Sequence, residues 1–258
     1  MNNYFQSMTP EYANKYFPGG SVFEGAAKTL KRRGVIGIFF IGLFVAGGLL
    51  GLVFTISRAL EYMAQGEDDV ISVVIVLCAF FGLITLGFSA LLIYLIKSIA
   101  KGRDGYIARS AKNSELSVSE IETFDQQAMA SDCLILRLTE GLDRALSNSI
   151  TKDGLLTRDY LYLADPAQIV FRVDSLRACC FTDYTYYVTT GNRNKKIHNL
   201  AIYLLASNGV SLRSDTTEEA GKALINLLLE RNPAIDTNDG NILPENGEDS
   251  YKKRILQK

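Results

Sequence analysis

The sequence of 258 residues lacks tryptophan, and it has a single histidine, His198, and four cysteines with no C-x-x-C pair among them. Without a C-x-x-C pair, neither a zinc ribbon nor a thioredoxin-like redox motif is available. The sequence contains no G-x-S-x-G nucleophile elbow, so the sequence signature of a Ser–His–Asp triad that would use the single histidine is missing. We therefore assign no catalytic, cofactor-binding or metal-binding residue, name no cofactor, and expect a protein that is not an enzyme.

Charge is missing from two long segments of the chain. Gly34–Ser57 has 24 residues and Val70–Ile96 has 27, and neither contains Asp, Glu, Lys, Arg or His. An α-helix rises about 1.5 Å per residue, so each segment is long enough to cross a hydrocarbon core of about 30 Å. The first begins too late and is too long for a cleaved signal peptide. We predict a transmembrane helical hairpin over residues 34–97, and the lack of intramembrane ionisable residues argues against a pump or carrier on this chain alone.

Basic residues stand on both sides of this hairpin. They are Lys28, Lys31, Arg32 and Arg33 before the first segment, and Lys97, Lys101, Arg103, Arg109 and Lys112 after the second. The loop Arg58–Asp69 has one basic and four acidic residues. Because basic residues resist translocation, we expect a two-pass protein of the cell membrane with both termini in the cytoplasm and only this loop outside. The basic residues after the second segment have a further interpretation, which is the binding of anionic lipid headgroups.

Small residues recur at four-residue spacing in both apolar segments. Gly47 and Gly51 form a small-xxx-small pair in the first, and Cys78 and Gly82 have the same spacing in the second. Such pairs let another helix backbone approach closely. Two interpretations stay open: the two helices of the hairpin pack on each other at these residues, or the residues form the seam of a dimer.

Residues 1–33 are predicted to form an amphipathic and basic cytoplasmic segment. Thr9-Pro10 starts a short helix with Thr9 as its N-cap, and Phe17-Pro18-Gly19-Gly20 ends it. The residues that would share one face of this helix are Tyr4, Met8, Tyr12 and Tyr16. We interpret the face either as lying on the membrane or on a partner, or as a tail that is frayed or packed on its own domain. A capping box of Ser21 and Glu24 starts a helix that continues into the first apolar segment.

The chain after the hairpin is predicted to contain a connector and a folded domain. Residues 98–131 form a juxtamembrane connector, loosened by Gly102 and Gly105, and then a helix that the capping box Ser117-x-x-Glu120 opens. Residues 132–235 form a cytoplasmic domain of five or six strands. Its first apolar run, Cys133–Leu138, has helix or strand character, and the sequence does not decide between them.

Turn signals separate the strands of this domain. They are Asp165-Pro166, the polar segment Gly191–Lys196, and Asn208-Gly209. An amphipathic helix follows, capped by Thr216 and ended by Asn232-Pro233. Residues 236–258 are polar and are expected to be a disordered tail.

A meander of strands followed by one amphipathic helix resembles the pleckstrin-homology-like (PH-like) fold. The resemblance covers about Ser147–Ile235 and depends on "GLLTRDYLY" at Gly154–Tyr162, on Val173-Asp174-Ser175-Leu176, and on the helix that ends at Asn232-Pro233. The predicted domain is similar to the PH-like domains found in small bacterial membrane proteins of unknown function. Those proteins often have one or two membrane spans before the domain. The resemblance implies an antiparallel β meander or barrel with a C-terminal capping helix, and an interaction module rather than a catalyst. The turn Arg158-Asp159 is nearly neutral, so phosphoinositide binding is not carried over.

The polar segment Gly191–Lys196 holds a compact basic cluster of Arg193, Lys195 and Lys196. We interpret this cluster either as a contact site for phospholipid headgroups or an acidic partner, or as an ordinary solvated loop. Cys179 and Cys180 are neighbours in a predicted strand, so we expect their side chains to point to opposite faces. Core filling and redox sensing are the two roles considered for them.

These observations predict an α+β membrane protein that presents a cytoplasmic PH-like domain for contact with proteins or lipids. The alternative is an accessory subunit of a larger transporter or secretion assembly, in which the hairpin itself is the interface. The expected partners are membrane lipids and a protein partner or a second copy, with no nucleic acid. We also expect a soluble fragment that begins at about Ser114 to fold by itself.

Overall fold

The computed structural model describes residues 4–17, 19–65, 71–138, 151, 153–190 and 193–257. The chain divides into two units. The mixed unit consists of Met1–Ala26 and Tyr106–Lys258, and the helical unit consists of Ala27–Gly105. The chain has two long apolar helices followed by antiparallel sheets and an amphipathic helix, as the sequence predicts, and then a further helix that the sequence does not predict.

Eight strands and seven helices are described. In chain order they are β1 (Phe5–Ser7), α1 (Pro10–Tyr16), α2 (Val22–Ala64), α3 (Ile71–Ala100), α4 (Gly102–Ser114), α5 (Val118–Gln127), β2 (Leu134–Leu136), β3 (Gly154–Leu156), β4 (Tyr160–Tyr162), β5 (Val170–Arg172), β6 (Leu176–Thr190), β7 (Arg193–Ala206), β8 (Ser211–Asp215), α6 (Glu218–Arg231) and α7 (Glu248–Leu256). Short 3₁₀ turns lie at Val173–Ser175 and Asn238–Gly240.

Two helices of the helical unit are long and apolar enough to cross a membrane, judged by length and composition. These stretches are Gly34–Ala64 of α2 and Ile71–Lys97 of α3. They contain the two uncharged segments of the sequence except Val70, which lies outside the described residues. Large apolar side chains are exposed along both helices, among them Phe39, Leu50, Leu83 and Leu86.

The N-terminal segment is part of the mixed unit. Strand β1 pairs antiparallel with β2, with Phe5 opposite Leu136. The backbone N–H of Tyr12 donates to Thr9 Oγ1 at 3.2 Å, which confirms the predicted N-cap of α1. Met8, Tyr12 and Phe17 are buried in the unit. Of the interpretations left open for this segment, the structure shows packing on its own domain. The predicted helical face is wrong, because α1 begins at Pro10, so Tyr4 and Met8 precede the helix, and Tyr16 is exposed.

The strands form two antiparallel sheets, one with the order β1-β2-β3-β4-β5 and one with the order β6-β7-β8. The undecided run Cys133–Leu138 contains strand β2. The predicted turn at Asn208-Gly209 is confirmed, since Gly209 has a φ of +85° between β7 and β8. The prediction of a loop over Gly191–Lys196 is wrong for its second part. Strand β7 already begins at Arg193, which pairs with Thr190 of β6.

Helix α6 packs on the main core, which both sheets share. Its cap is Thr217, one residue after the predicted Thr216, and the backbone N–H of Ala220 donates to Thr217 Oγ1 at 3.2 Å. The buried face of α6 contributes Ala220, Leu224 and Leu228. The sheet residues that meet it in this core include Leu136, Leu156, Leu161, Cys179, Ile202 and Leu204. One helix therefore holds the two sheets together through apolar contacts.

A second apolar cluster covers the other face of the five-stranded sheet. Phe124 of α5 lies at its centre, with ring centroids 6.2 Å from Phe23, 6.2 Å from Tyr160 and 6.1 Å from Tyr162. Helix α5 starts at the predicted capping box, which is confirmed. Ile135 of β2 is buried in this cluster, whereas Leu136 is buried in the main core. Strand β2 is buried on both faces, which explains why its sequence shows no alternation of polar and apolar residues.

The connector and the tail differ from the predictions. The connector was expected to be loose at Gly102 and Gly105, but both glycines lie in helix α4, whose Ile107 and Ala111 are buried. The tail was expected to be disordered, but it contains α7, with Tyr251 and Ile255 buried. Both expectations are wrong for the same reason: the polar composition of these segments hides a few apolar residues that pack on the mixed unit.

The start of α2 is capped by Ser21, whose Oγ accepts from the backbone N–H of Glu24 at 3.1 Å as the sequence predicts, and also by a residue of a distant helix. Ser21 Oγ donates to Asp125 Oδ2 at 2.7 Å, and the backbone N–H of Val22 donates to Asp125 Oδ1 at 2.7 Å. Asp125 belongs to α5 and its side chain is 2% exposed. A carboxylate at a helix N-terminus satisfies free amide groups and also interacts favourably with the helix dipole.

We predict that Asp125→Ala lowers the free energy of unfolding of the mixed unit by about 2 kcal/mol, because buried donors lose their acceptor. Thermal unfolding of the full chain in detergent, followed by the near-ultraviolet circular dichroism of its tyrosines, measures the effect. The control is Asp132→Ala, at an exposed aspartate near the end of the same helix, which we expect to change stability by less than about 0.5 kcal/mol. Equal unfolding curves for the two variants would contradict the assigned cap.

Candidate functional site

The predicted basic cluster lies in a two-stranded β-ribbon. The ribbon consists of Tyr184–Thr190 of β6 paired with Arg193–Asn199 of β7. Among the described strands, β8 pairs with β7 only over Ala201–Leu205, so the ribbon continues beyond the three-stranded sheet. Its seven residue pairs extend roughly 24 Å at about 3.4 Å per residue. Arg193, Lys195 and Lys196 are in the β7 half; their side chains lie outside the described residues.

Polar contacts hold the base of the ribbon. The hydroxyl of Tyr184 donates to Asp215 Oδ1, and Asn199 Nδ2 donates to the same hydroxyl at 3.1 Å. The guanidinium of Arg213 lies 4.2 Å from the centre of the Tyr184 ring. The pKa of Tyr184 is raised to about 12, first by burial of the hydroxyl and second by its hydrogen bond to Asp215. At neutral pH this hydroxyl therefore keeps the proton with which it binds Asp215.

His198 also lies in the ribbon, and its contacts do not form a catalytic relay. Its Nδ1 is 3.2 Å from Thr185 Oγ1, and that hydroxyl also donates to Glu245 Oε2 at 3.3 Å. In a nucleophile–base relay the carboxylate orients the histidine ring. Here the carboxylate binds the hydroxyl instead, on an exposed surface.

Helix α4 is fastened to the loop between β4 and β5. Ser110 Oγ donates to the Gln168 carbonyl at 2.7 Å, and Asn113 Nδ2 donates to the Ala167 carbonyl at 2.6 Å. The backbone N–H of Val170 donates to Ser114 Oγ at 2.8 Å. Sequence reasoning missed this contact. The spacing of Ile107, Ser110, Ala111 and Ser114, which gives one helical face, is the signal that could have indicated it.

The same loop holds a buried carboxyl group. The backbone N–H of Ile169 donates to Asp165 Oδ2 at 3.0 Å, whereas Asp165 Oδ1 and Gln168 Oε1 have no hydrogen-bond partner among the described residues. Burial raises the pKa of Asp165. Gln168 has a φ of +62°, a conformation that non-glycine residues seldom adopt. The fastened helix thus lies over a strained and polar part of the fold.

A charged cleft of about 730 Å³ opens beside the turn Arg158-Asp159. Arginine and aspartate occur in it in equal number: Arg158, Arg172, Arg231, Asp132, Asp159 and Asp174. Arg172 binds Asp174 at 2.5 Å and Glu120 at 3.3 Å, and Asp174 raises the pKa of the guanidinium. Arg231 donates to the carbonyls of Thr157 and Arg158. Because the charges are balanced and the guanidinium groups are occupied, the cleft lacks the excess positive charge that would attract an anion.

The cysteines are free thiols in buried or half-buried positions. Cys179 lies in the main core and Cys180 lies in a separate cluster on the other face of β6, which confirms their predicted opposite orientation. Burial raises the pKa of Cys133 and of Cys180 to about 12. Thiols with such pKa values are poor nucleophiles at neutral pH. Within the described residues, no group of three His, Cys, Asp or Glu is arranged to hold a metal ion.

The small residues of the helical unit divide into two sets. A side chain at Gly48 would meet Thr85, and a side chain at Gly51 would meet the ring of Phe81. Nearby, the rings of Phe44 and Phe88 stack with centroids 4.8 Å apart. In contrast, the position that a Cβ would take at Gly47 or Gly82 is open space, and Cys78 is half-buried. Of the two glycines in the predicted Gly47–Gly51 pair, only Gly51 lies where α2 and α3 touch.

Comparison of the chain with protein-family models, with curated proteins and with solved structures finds no match. No residue role is therefore carried over from a relative.

We predict that Gly51→Leu destabilises the helical unit and that Gly47→Leu does not. The leucine at 51 must displace Phe81, and such overpacking costs about 1–3 kcal/mol, whereas the leucine at 47 enters open space. Thermal unfolding of the full chain in detergent, followed by far-ultraviolet circular dichroism, measures this difference as a change in the apparent melting temperature. A normal melting temperature for Gly51→Leu would contradict the assigned contact. A loss of dimer for Gly47→Leu alone would instead favour the seam between copies.

Proposed function

We propose that this chain is a non-enzymatic two-pass protein of the cell membrane that presents a cytoplasmic PH-like domain for contact with proteins or lipids. The observation that carries the proposal is the composition of the mixed unit. Residues before the first apolar helix and residues after the second fold together, since β1 pairs with β2. Two segments that pair directly must be on the same side of a membrane, which requires an even number of crossings between them.

The exposure of the two apolar helices supports membrane insertion. Along α2 and α3, large side chains such as Phe40, Phe54, Val76 and Tyr94 are exposed. A soluble monomer rarely exposes a continuous apolar patch of more than a few hundred Å². Lipid is the solvent in which such helices are stable, and the basic flanks supply the cytoplasmic orientation.

The order of elements in the mixed unit supports the PH-like part of the proposal. Strands β2 to β5 form a consecutive antiparallel meander, β6 to β8 form a second, and α6 follows and packs on both. The resemblance rests on a meander followed by one amphipathic helix, and the two successive meanders followed by α6 support it in that order of elements. Strand β1 adds one more strand at the free edge of β2.

The interaction test compares partners captured from native membranes. One sample is the full chain, and the other joins residues 1–26 to 106–258 by a flexible glycine–serine linker and lacks both apolar helices. We expect the linked protein to keep the partners of the full chain, because it retains the whole mixed unit. A fragment from Ser114, which lacks β1, α1 and most of α4, serves as the negative control and should be unstable, contrary to the expectation from sequence.

If the partners appear only with the apolar helices present, the interaction belongs to the hairpin. That outcome would support the second candidate, an accessory subunit of a transporter or secretion assembly. The open positions at Gly47 and Gly82 favour this candidate, because small residues without a neighbour permit another helix to approach closely.

For the β-ribbon we propose contact with anionic lipid headgroups. Each lysine near such a surface contributes about 1 kcal/mol, so Lys195→Glu with Lys196→Glu should abolish the contact. Hydrogen exchange of the ribbon amides, in the full chain embedded in nanodiscs, measures the contact with headgroups. We expect slower exchange with phosphatidylserine than with phosphatidylcholine alone, and no such difference for the double variant.

The matched control is Lys252→Glu with Lys253→Glu, another pair of adjacent lysines, which should leave the lipid difference of the ribbon intact. If the ribbon amides of the unmodified chain exchange hydrogen at the same rate in both lipids, the ribbon does not contact headgroups. The other interpretation of the basic cluster, an acidic protein partner, would then be favoured.

A further inference from the structure

The segment Asp236–Leu256, here named the C-terminal cover, lies along the free edge of β6. It touches this strand as two separate parallel bridges, one at Ala178 and one at Thr182. The four backbone hydrogen bonds are Asp236 N–H to Arg177 O at 2.9 Å, Cys179 N–H to Asp236 O at 3.0 Å, Leu243 N–H to Phe181 O at 2.8 Å and Asp183 N–H to Leu243 O at 3.0 Å. The cover thus satisfies edge groups of β6 that would otherwise be free to pair with another strand.

Apolar contacts beneath the cover form their own cluster, apart from the main core. Leu243, Tyr251 and Ile255 of the cover are buried against the sheet. The sheet residues in this cluster are Ala178, Cys180, Tyr203 and Leu205. The Tyr251 hydroxyl also donates to Asp236 Oδ1 at 2.7 Å, which ties the two ends of the cover together. Cys180 is thus under the cover, whereas its neighbour Cys179 is in the main core.

Several features make the attachment of the cover weaker than that of the core. Between the two bridges the chain leaves the strand, with φ values of 56° at Asn238, 53° at Asp239 and 78° at Gly240. Helix α7 has nine residues and no side-chain cap at Gly247, and a helix so short has little stability of its own. A cavity of about 400 Å³ is lined by Ile255 and Leu256 of the cover, by Arg177 of β6 and by Ser207 in the turn after β7.

We propose that the C-terminal cover opens as a unit while the main core stays folded, and that the uncovered β6 edge accepts the C-terminal segment of a second copy of this chain. An uncovered edge strand beside an apolar face is a site for strand addition. The cover itself shows which segment fits there: two single-residue β-bridges separated by a 3₁₀ turn, followed by a helix with tyrosine and isoleucine four residues apart. Every copy of the chain carries that segment, so exchange between copies needs no other partner.

The two adjacent cysteines provide the test in the full chain in detergent. Maleimide labelling, assigned by fragment mass spectra, reports opening of the cover at Cys180 and unfolding of the core at Cys179. We expect Cys180 to react at least about tenfold faster than Cys179, since a local opening costs less free energy than global unfolding. Cys180 is 1% exposed beneath the cover, so the closed form contributes little labelling.

Two isoleucines of the cover give a matched pair of variants. Ile255→Ala removes a buried contact and should raise the Cys180 rate by at least about tenfold with little change at Cys179. Ile242→Ala removes a side chain that is 54% exposed and should change neither rate. Equal rates at the two cysteines in every variant would overturn the proposal, because the cover would then be part of the core.

A peptide of residues 236–258 tests the occupant. Added in excess to the Ile255→Ala variant, it should restore protection of Cys180. The same peptide with Tyr251→Ser and Ile255→Ser should not protect, because both of its apolar anchors are missing. Fast labelling of Cys180 that the unmodified peptide leaves unchanged would overturn the exchange between copies.

Discussion

The pairing of β1 with β2 is the constraint on which the rest of the structure depends. Phe5–Ser7 and Leu134–Leu136 are separated in the chain by both apolar helices, and yet they are neighbours in one sheet. The helices must therefore leave the mixed unit and return to it. If both helices cross a membrane, they must form a hairpin whose two ends lie on the same side. That conclusion does not depend on the charge of the flanking residues. The cap of α2 by Asp125 adds a second link of the same kind, since it joins the exit of the first helix to a residue that follows the return of the second.

The five-stranded sheet is stable because both of its faces are covered. Helix α6 covers one face through Leu224 and Leu228, and Phe23 and Phe124 cover the other. Each buried aliphatic or aromatic side chain contributes about 1.5–3 kcal/mol, far more than a surface ion pair such as Lys222–Glu218. The N-terminal residues are thus needed for one of the two layers, and the mixed unit is not equivalent to the chain that follows the second apolar helix.

The sequence predicts the features that depend on near neighbours, and misses those that depend on distant ones. Uncharged runs, the caps at Thr9 and Ser117 and the turn at Asn208-Gly209 are encoded within a few residues, and the structure confirms them. The place of β1 and the order in the tail depend on partners more than 50 residues away, as in the bridge between Thr182 and Leu243. Spacing also does not show which glycine lies between the two helices of the hairpin: a side chain at Gly48 would meet Thr85, whereas the position at Gly47 is open.

Strand β6 joins the two surfaces to which we assign contacts. Its first half lies under the C-terminal cover, and its second half forms the β-ribbon. Two contacts link them. Glu245 of the cover accepts a hydrogen bond from Thr185 of the ribbon at 3.3 Å, and Glu248 of the cover pairs with Arg213 at 3.5 Å, while Arg213 lies over the Tyr184 ring at the base of the ribbon. Such an ion pair is partly exposed and is worth less than about 1 kcal/mol, so its loss changes an equilibrium by at most a few-fold. Tyr184 keeps its bonds to Asp215 and Asn199 when Glu248 leaves. The cover therefore opens without dismantling the ribbon, and the two surfaces act almost independently on one strand.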